Sequence, residues 1–383
     1  MDQATGLKQK RNASIELLRI IAMLMIVALH YNYYTRALLG AKEPVNRISP
    51  SAGIQIFATI VESFCVTGVN VYVFITGYYL SKAKVKLSKV FRLICQVYFY
   101  TFLVSLVMMS VGTSVVKEDD SIFKTVQYLF PISSEHYWFV TAYVIMYVLA
   151  PVMNAAVRTL SRKQLKAVIT GLLIWFCFVK SIVPVLFVTD KMGYDFGWFV
   201  CVYLIAAYVR EYDVVLFHTA KKSALVYLIS CLMIAATSIS FYYISVKLNK
   251  FNYYASVPFH YNYIFTLTGS LGLFSLFRFY RMKENVFADV VRVAGPLTLG
   301  VYLLHMHVEI KDEWLIWLEG IVGEVPLESV PMFALHMILC ILMIFGAGIF
   351  VDWIRKMIFD FFGRVLHDTK LFKAIRRWDE ELC

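Results

Sequence analysis

Ten apolar segments, each long enough to cross a lipid bilayer, run through this chain from end to end. A spanning α-helix needs about 20 predominantly apolar residues. Backbone N–H and C=O groups inside lipid must be paired within the protein, which restricts spanning structures to helices and closed barrels. Hydrophobic residues occupy 60% of the 383 positions, against about 45–50% in soluble domains. The segments therefore predict an all-α polytopic membrane bundle with spans at residues 14–34, 57–80, 90–112, 137–157, 167–187, 197–217, 224–246, 261–280, 294–310 and 332–354.

Basic residues are concentrated in alternate loops of this layout. The cationic loops include Lys82, Lys89, Arg92, Arg158 and Arg281. Because Lys and Arg near the ends of spans favour the cytoplasmic side, both termini are predicted to be cytoplasmic. Residues 1–354 are expected to form one transmembrane domain, and residues 355–383 a basic amphipathic tail on the inner leaflet. The net charge of +11, distributed in this way, indicates contact with anionic membrane lipid and not with nucleic acid.

The first apolar segment contains two ionisable side chains, Arg19 and His30. They are eleven residues apart, which at about 100° per residue returns to nearly the same helix face, roughly 16 Å further along the axis. A charged residue inside a bilayer costs about 2.5–3.5 kcal/mol on insertion scales and usually marks a functional path. A cation near one membrane face, with an imidazole deeper in the membrane, suits a long anionic ligand whose reactive end enters the bilayer. The alternative is an Arg that snorkels to the interface and a hydrogen-bonded core His.

Other polar side chains in or beside the apolar segments are further candidates for a site. Buried polar groups need partners, and a row of cations after the second segment could bind phosphate groups. Each has a structural alternative, which is hydrogen bonding in the core, an interfacial aromatic belt or an ordinary positive-inside loop. No Cys or His spacing typical of a metal site occurs, so no metal is predicted. The candidates are Glu62, Asn70, Lys89, Arg92, His136, Trp138, Tyr302 and His305.

Several stretches, in their order along the chain, resemble the acyltransferase 3 family of bacterial integral-membrane proteins. They are LLRIIAMLMIVALH, FITGYYL, HYWFVTAYVIMYVLAPVMN, YLIAAYVREY and LTLGVYLLHMH, and they run from residue 16 to about residue 307. The resemblance implies a multi-pass protein of the bacterial cell membrane that uses cytoplasmic acyl-CoA. It implies O-acylation, usually O-acetylation, of an extracytoplasmic polysaccharide or lipid-linked glycan.

The resemblance also implies roles for particular residues. The Arg-x10-His motif of the family falls on Arg19 and His30, with His30 catalytic. The basic motif after the second span falls on Lys89 and Arg92, where the family more often has an Arg pair. These three cations are expected to bind the phosphates of acyl-CoA, and His305 is the second candidate for the catalytic base. The candidate substrate contacts are Glu62, Asn70, His136, Trp138 and Tyr302.

Two steps remain open from the residues alone. A neutral His30 could take the proton from the acceptor hydroxyl, or it could itself accept the acyl group. A glycan transporter or flippase is an alternative function, because many spans with buried His, Glu and Arg fit it as well. It is disfavoured by the absence of evident inverted repeats. A catalytically inactive membrane sensor module is a third class, against which the intact Arg19 and His30 pair argues.

Overall fold

The computed structural model describes residues 10–41, 49–114, 126, 128–183, 185–212 and 214–381. Helices make up 77% of the chain, and no strand occurs among the described residues. The all-α prediction is therefore confirmed. Residues 1–9 of the predicted cytoplasmic N-terminus and the last residue of the predicted tail, Cys383, lie outside the described residues.

The described helices, in chain order, account for every predicted apolar segment. They are α1 (Ala13–Thr35), α2 (Ala52–Cys65), α3 (Gly68–Leu80), α4 (Leu87–Val111), α5 (Trp138–Thr159), α6 (Arg162–Leu173), α7 (Val179–Ile182), α8 (Phe196–Glu211), α9 (Ala220–Leu248), α10 (Asn252–Ser256), α11 (Ile264–Phe279), α12 (Val286–Ala294), α13 (Thr298–His305), α14 (Trp314–Val322), α15 (Val330–Val365) and α16 (Lys370–Glu381). A π-helical turn (Ile174–Phe178) joins α6 to α7, and a 3-10 turn (Gly295–Leu297) joins α12 to α13.

Eight helical stretches of the described chain are long and apolar enough to cross a membrane. They coincide with eight of the ten predicted spans, and α2 with α3 forms one of them. The other two predicted spans, 197–217 and 261–280, contain α8 and α11, which have 16 residues each. A 16-residue helix is about 24 Å long, which is shorter than the roughly 30 Å hydrocarbon core. The protein is a polytopic helical bundle, and ten full crossings stay a prediction.

Helix α1 lies at the centre of the bundle, packed against α2, α3, α11, α12, α13 and α15. Its N-terminus is capped by Asn12, whose side-chain oxygen accepts a hydrogen bond from the backbone N–H of Ser14. The helix ends at Arg36, which adopts a left-handed conformation with φ of 54°. Neighbouring helices therefore surround the face that contains Arg19 and His30.

Two glycines permit the close approach of the α12–α13 segment to its neighbours. A Cβ atom on Gly295 would lie 2.5 Å from a carboxylate oxygen of Glu16 in α1. One on Gly300 would lie 2.3 Å from the Cβ of Asp352 in α15 and 2.4 Å from the hydroxyl of Tyr100 in α4. Small residues at such crossings are the usual device for close helix packing in membranes.

The outer faces of the long helices are apolar and exposed. Leu106, Val152 and Trp175 are 65%, 68% and 70% exposed, respectively. A soluble monomer rarely exposes contiguous apolar surface of this kind. These faces match the hydrocarbon of a bilayer.

The C-terminal part continues the last long helix beyond the predicted domain boundary. Helix α15 runs unbroken through residue 354 to Val365, so no break in secondary structure marks that boundary. The tail helix α16 follows and packs against α4. Its Asp379 accepts a hydrogen bond of 3.0 Å from the backbone N–H of Ser88, in the first turn of α4. The tail thus caps a helix whose own N-cap residue, Lys86, makes no side-chain cap.

Candidate active site

A cavity of about 240 Å³ lies inside the bundle, between α1, α3, α4, α5 and the α12–α13 segment. Its walls include side chains from all of these elements. Among them are Arg19, Met23, Ile26, His30, Val69, Tyr72, Thr76, Lys89, Leu93, Gln96, Trp138, Phe139, Tyr143, Tyr261, Thr298, Leu299 and Tyr302. One end of the cavity is cationic, and the other is aromatic and contains an imidazole.

Arg19 and Lys89 form the cationic end. The Nε of Arg19 lies 3.7 Å from a carboxylate oxygen of Glu16, whose other oxygen lies 3.1 Å from Arg11. The single Glu16 charge is therefore shared between two guanidinium groups. Lys89 projects from the first turn of α4, where the helix macrodipole adds positive potential. This end of the cavity suits an anionic group.

His30 and His305 form a hydrogen-bonded pair at the other end, with 2.9 Å between Nδ1 of His30 and Nε2 of His305. His305 is fully buried, and its Nδ1 lies 2.5 Å from the carbonyl oxygen of Val301. A carbonyl oxygen can only accept, so the hydrogen-bond network assigns the proton of His305 to Nδ1. Its Nε2 is then the acceptor, and His30 must donate from Nδ1.

This arrangement determines which nitrogen of His30 is available for chemistry. With its proton on Nδ1, neutral His30 has its lone pair on Nε2. His30 is half-buried and lines the cavity. An imidazole with a free lone pair can act as a general base or as a nucleophile. His305 has no free lone pair for either role, because both of its ring nitrogens already have hydrogen-bond partners.

Aromatic rings enclose the cavity near His30. The rings of Trp138 and Tyr261 stack with 5.6 Å between centroids at 18°, and Tyr194 lies 4.5 Å from Trp138. Asn70 supports this wall from behind. Its Nδ2 donates to the carbonyl oxygen of Tyr261 at 2.8 Å, and its Oδ1 accepts from Nε1 of Trp198 at 3.0 Å.

The structure brings five of the ten candidate residues to this cavity. They are Arg19, His30, Lys89, Trp138 and Tyr302. His305 and Asn70 lie directly behind it, against His30 and Tyr261 respectively.

Three candidates lie elsewhere. Glu62 accepts a hydrogen bond of 2.9 Å from Asn32, within the contact between α2 and α1. His136 packs against His307, with 5.1 Å between ring centroids. Arg92 is exposed and does not line the cavity. Within the described ranges, no group of three or more His, Cys, Asp and Glu side chains is arranged to hold a metal ion.

A buried polar network beside the cavity was missed by the sequence reasoning. Asp352 of α15 forms an ion pair of 2.7 Å with Arg355. It also accepts hydrogen bonds of 2.8 Å from Gln96 and 3.1 Å from the hydroxyl of Tyr100. The signal in the sequence is an Asp followed three residues later by an Arg at the end of an apolar segment. The sequence predicts Arg355 as the first cation of a cytoplasmic tail, whereas in the structure it pairs with Asp352 within α15.

Comparison with known proteins places this polytopic bundle in a class of membrane enzymes. The sequence profile of the acyltransferase 3 family, described as an acyltransferase domain, matches residues 12–354, and the chain belongs to that family. The protein is therefore a multi-pass membrane acyltransferase. No curated protein and no solved structure matched the chain.

Proposed function

We propose that this protein transfers an acyl group, in particular acetyl, from cytoplasmic acyl-CoA to a hydroxyl of an extracytoplasmic polysaccharide or lipid-linked glycan. The observation that carries the proposal is the single cavity that joins Arg19 and Lys89 to His30. Arg19 and His30 are separated by about 16 Å along α1. Acyl-CoA matches this spacing of cations and imidazole, because its phosphates and its thioester lie at opposite ends of a flexible arm.

The cationic end receives the phosphates of the donor. Arg19 offers a planar fork for bidentate contacts, and Lys89 acts as a point charge. The pantetheine arm then follows the cavity toward His30. Apolar wall residues between the two ends, such as Met23 and Phe139, would pack against this arm.

His30 acts as the general base in the proposed reaction. Its Nε2 takes the proton of the acceptor hydroxyl while the oxygen attacks the thioester carbonyl carbon. The C–S bond then breaks, and the imidazolium returns the proton to the departing CoA thiolate. The hydrogen bond from Nδ1 to His305 strengthens as His30 becomes charged, so His305 is a positioning residue that favours the charged intermediate.

The acceptor enters from the aromatic end of the cavity. Trp138, Tyr261 and Tyr302 line this end of the cavity, and aromatic rings of this kind can pack against the apolar face of a sugar. Binding sites that combine aromatic walls with a few polar groups are typical for such ligands. This side corresponds to the predicted extracytoplasmic ends of the helices.

The experiment is reconstitution of the full chain into proteoliposomes with radiolabelled acetyl-CoA. A glycan fraction from the envelope of the native host is supplied on the opposite side of the membrane. We expect label in the glycan with the wild-type protein and background label with His30→Ala. Equal labelling by the two proteins would overturn the proposed site, and the absence of any transfer by the wild type would overturn the proposed donor and acceptor.

A further inference from the structure

Gln96 occupies an intermediate position in the cavity. It lies on α4 seven residues after Lys89, which places it on nearly the same helix face, about 10 Å further along the axis. The side chain lines the cavity and is largely buried. The cavity wall mixes aliphatic side chains, such as Leu93 and Leu299, with side chains that carry hydroxyl groups, such as Tyr72. Among the described wall residues, Gln96 is the one that presents a primary amide.

The orientation of this amide is fixed by Asp352. The Nε2 of Gln96 donates to Oδ1 of Asp352 at 2.8 Å. The same carboxylate also accepts from Arg355 at 2.9 and 2.7 Å and from the hydroxyl of Tyr100 at 3.1 Å. An ionised carboxylate has acceptors only, so the amide of Gln96 cannot rotate to present its oxygen to Asp352. Its Oε1 therefore has to face away from the carboxylate, and it makes no hydrogen bond within the described part of the chain.

We propose that Oε1 of Gln96 accepts a hydrogen bond from a secondary amide N–H in the pantetheine arm of the donor. This inference rests on the proposed function, because it takes acyl-CoA as the donor. Phosphates bound at Lys89 and a thioester at His30 place the two amides of the arm between these ends. Gln96 is then a residue that recognises the donor arm, and Asp352 is the positioning residue that holds its amide in the accepting orientation.

The buried ion pair supports a functional purpose for this network. Asp352 is 0% exposed, and it lies within a helix long and apolar enough to span the membrane. Ionisable residues at such positions are costly and usually serve a function. An apolar contact could replace the pair if helix packing were its only task. The glycine at position 300, against which Asp352 and Tyr100 pack, leaves room for the network.

The test measures the dissociation constants of three donors with purified full-length protein in detergent. The donors are acetyl-CoA and two analogues, in each of which one arm amide is replaced by an ester and so loses its N–H. For the wild type, we expect one analogue to bind about two- to tenfold more weakly than acetyl-CoA, the cost of one hydrogen bond. For Gln96→Leu, the affinity for acetyl-CoA should fall by a similar factor. The affinity for the analogue that lacks this hydrogen bond should equal its affinity for the wild type.

Two further variants complete the test. Asp352→Asn can donate as well as accept, so the amide of Gln96 is free to flip. We expect this variant to weaken acetyl-CoA binding but not binding of the ester analogue, a selectivity that general loss of packing would not produce. Gln55→Leu makes the same exchange in α2, outside the cavity, and should leave all dissociation constants unchanged.

The outcomes separate this inference from the proposed function. If wild-type protein binds acetyl-CoA and both ester analogues equally, the amide contact is refuted, whatever the folding of the variants. If Gln96→Leu discriminates between amide and ester as the wild type does, the role of Gln96 is also refuted. If wild-type protein does not bind acetyl-CoA at all, the proposed donor itself is wrong.

Discussion

Replacing His305 tests how the second imidazole supports the first. In the wild type, Nδ1–H of His30 donates to Nε2 of His305 at 2.9 Å. In His305→Leu, this hydrogen bond is lost. The proton of His30 can then move to Nε2, and in that tautomer Nε2 has no lone pair for the hydroxyl of the acyl acceptor. The hydrogen bond also strengthens when His30 becomes charged, so its loss raises the barrier for transfer more than it weakens binding of the ground state.

The expected loss of rate in His305→Leu follows from the positive charge that His30 acquires as the hydrogen-bond donor. A hydrogen bond from a charged group is worth about 1.5–3 kcal/mol, which corresponds to a rate about 10- to 150-fold lower. Loss of the base itself in His30→Ala should cost about 10²–10⁴-fold. His305→Gln retains an oxygen at a similar distance from the backbone as Nε2, so we expect it to recover part of the lost rate.

The assay is transfer of label from acetyl-CoA to the glycan fraction, at matched protein concentration. His307→Ala is the matched control, because this buried imidazole is two residues away and packs against His136, outside the cavity. It should retain the wild-type rate. A His305→Leu protein that folds and transfers at the wild-type rate would refute the positioning role. A Gln variant no better than the Leu variant would also argue against the hydrogen bond.

Three further changes have defined outcomes. Arg19→Lys loses the bidentate fork and should weaken acetyl-CoA binding by roughly 1 kcal/mol, or about fivefold, as titration calorimetry would show. Gly300→Ala places a methyl group 2.3 Å from a side chain of α15 and should lower stability by about 1–3 kcal/mol, whereas Gly346→Ala meets nothing within 4 Å and should not lower the melting temperature. Asp379→Asn should speed hydrogen exchange in α16, because it weakens the hydrogen bonds from Ser88 that hold this helix against α4. Burial acts to raise the pKa of Asp379, but the hydrogen bonds from Ser88 outweigh it and hold that pKa below its ordinary value. The docking energy from this carboxylate is accordingly complete above the ordinary Asp pKa of about 3.9 and is lost as the pH falls through the lower folded value.

The sequence was sufficient for those features that depend on one helix. The length of the apolar segments predicts the helices, and the spacing of Arg19 and His30 predicts that both side chains lie on one face of α1. Both do line one cavity. Periodicity within a segment needs no knowledge of its neighbours, which is why these predictions are reliable.

Features that depend on how helices pack against one another were not predictable in the same way. The contact between His30 and His305 joins residues that are 275 positions apart, and the rotation of α13 about its axis is set by packing around Gly300. The ion pair between Asp352 and Arg355 was not predictable, because the apolar segment does not show that its helix continues beyond residue 354. Helices α8 and α11, which pack against α3 and α9 respectively, are shorter than the apolar segments that contain them.

Separate measurement of donor binding and acyl transfer in His30→Ala bears most directly on the proposed active site. The cations Arg19 and Lys89 remain in this variant, so acetyl-CoA should bind with the wild-type dissociation constant. Transfer to the glycan should fall by about 10²–10⁴-fold because the general base is missing. Near-wild-type transfer by a folded His30→Ala protein would contradict the assignment of His30, and lost donor binding would place His30 in recognition of the donor and not in catalysis.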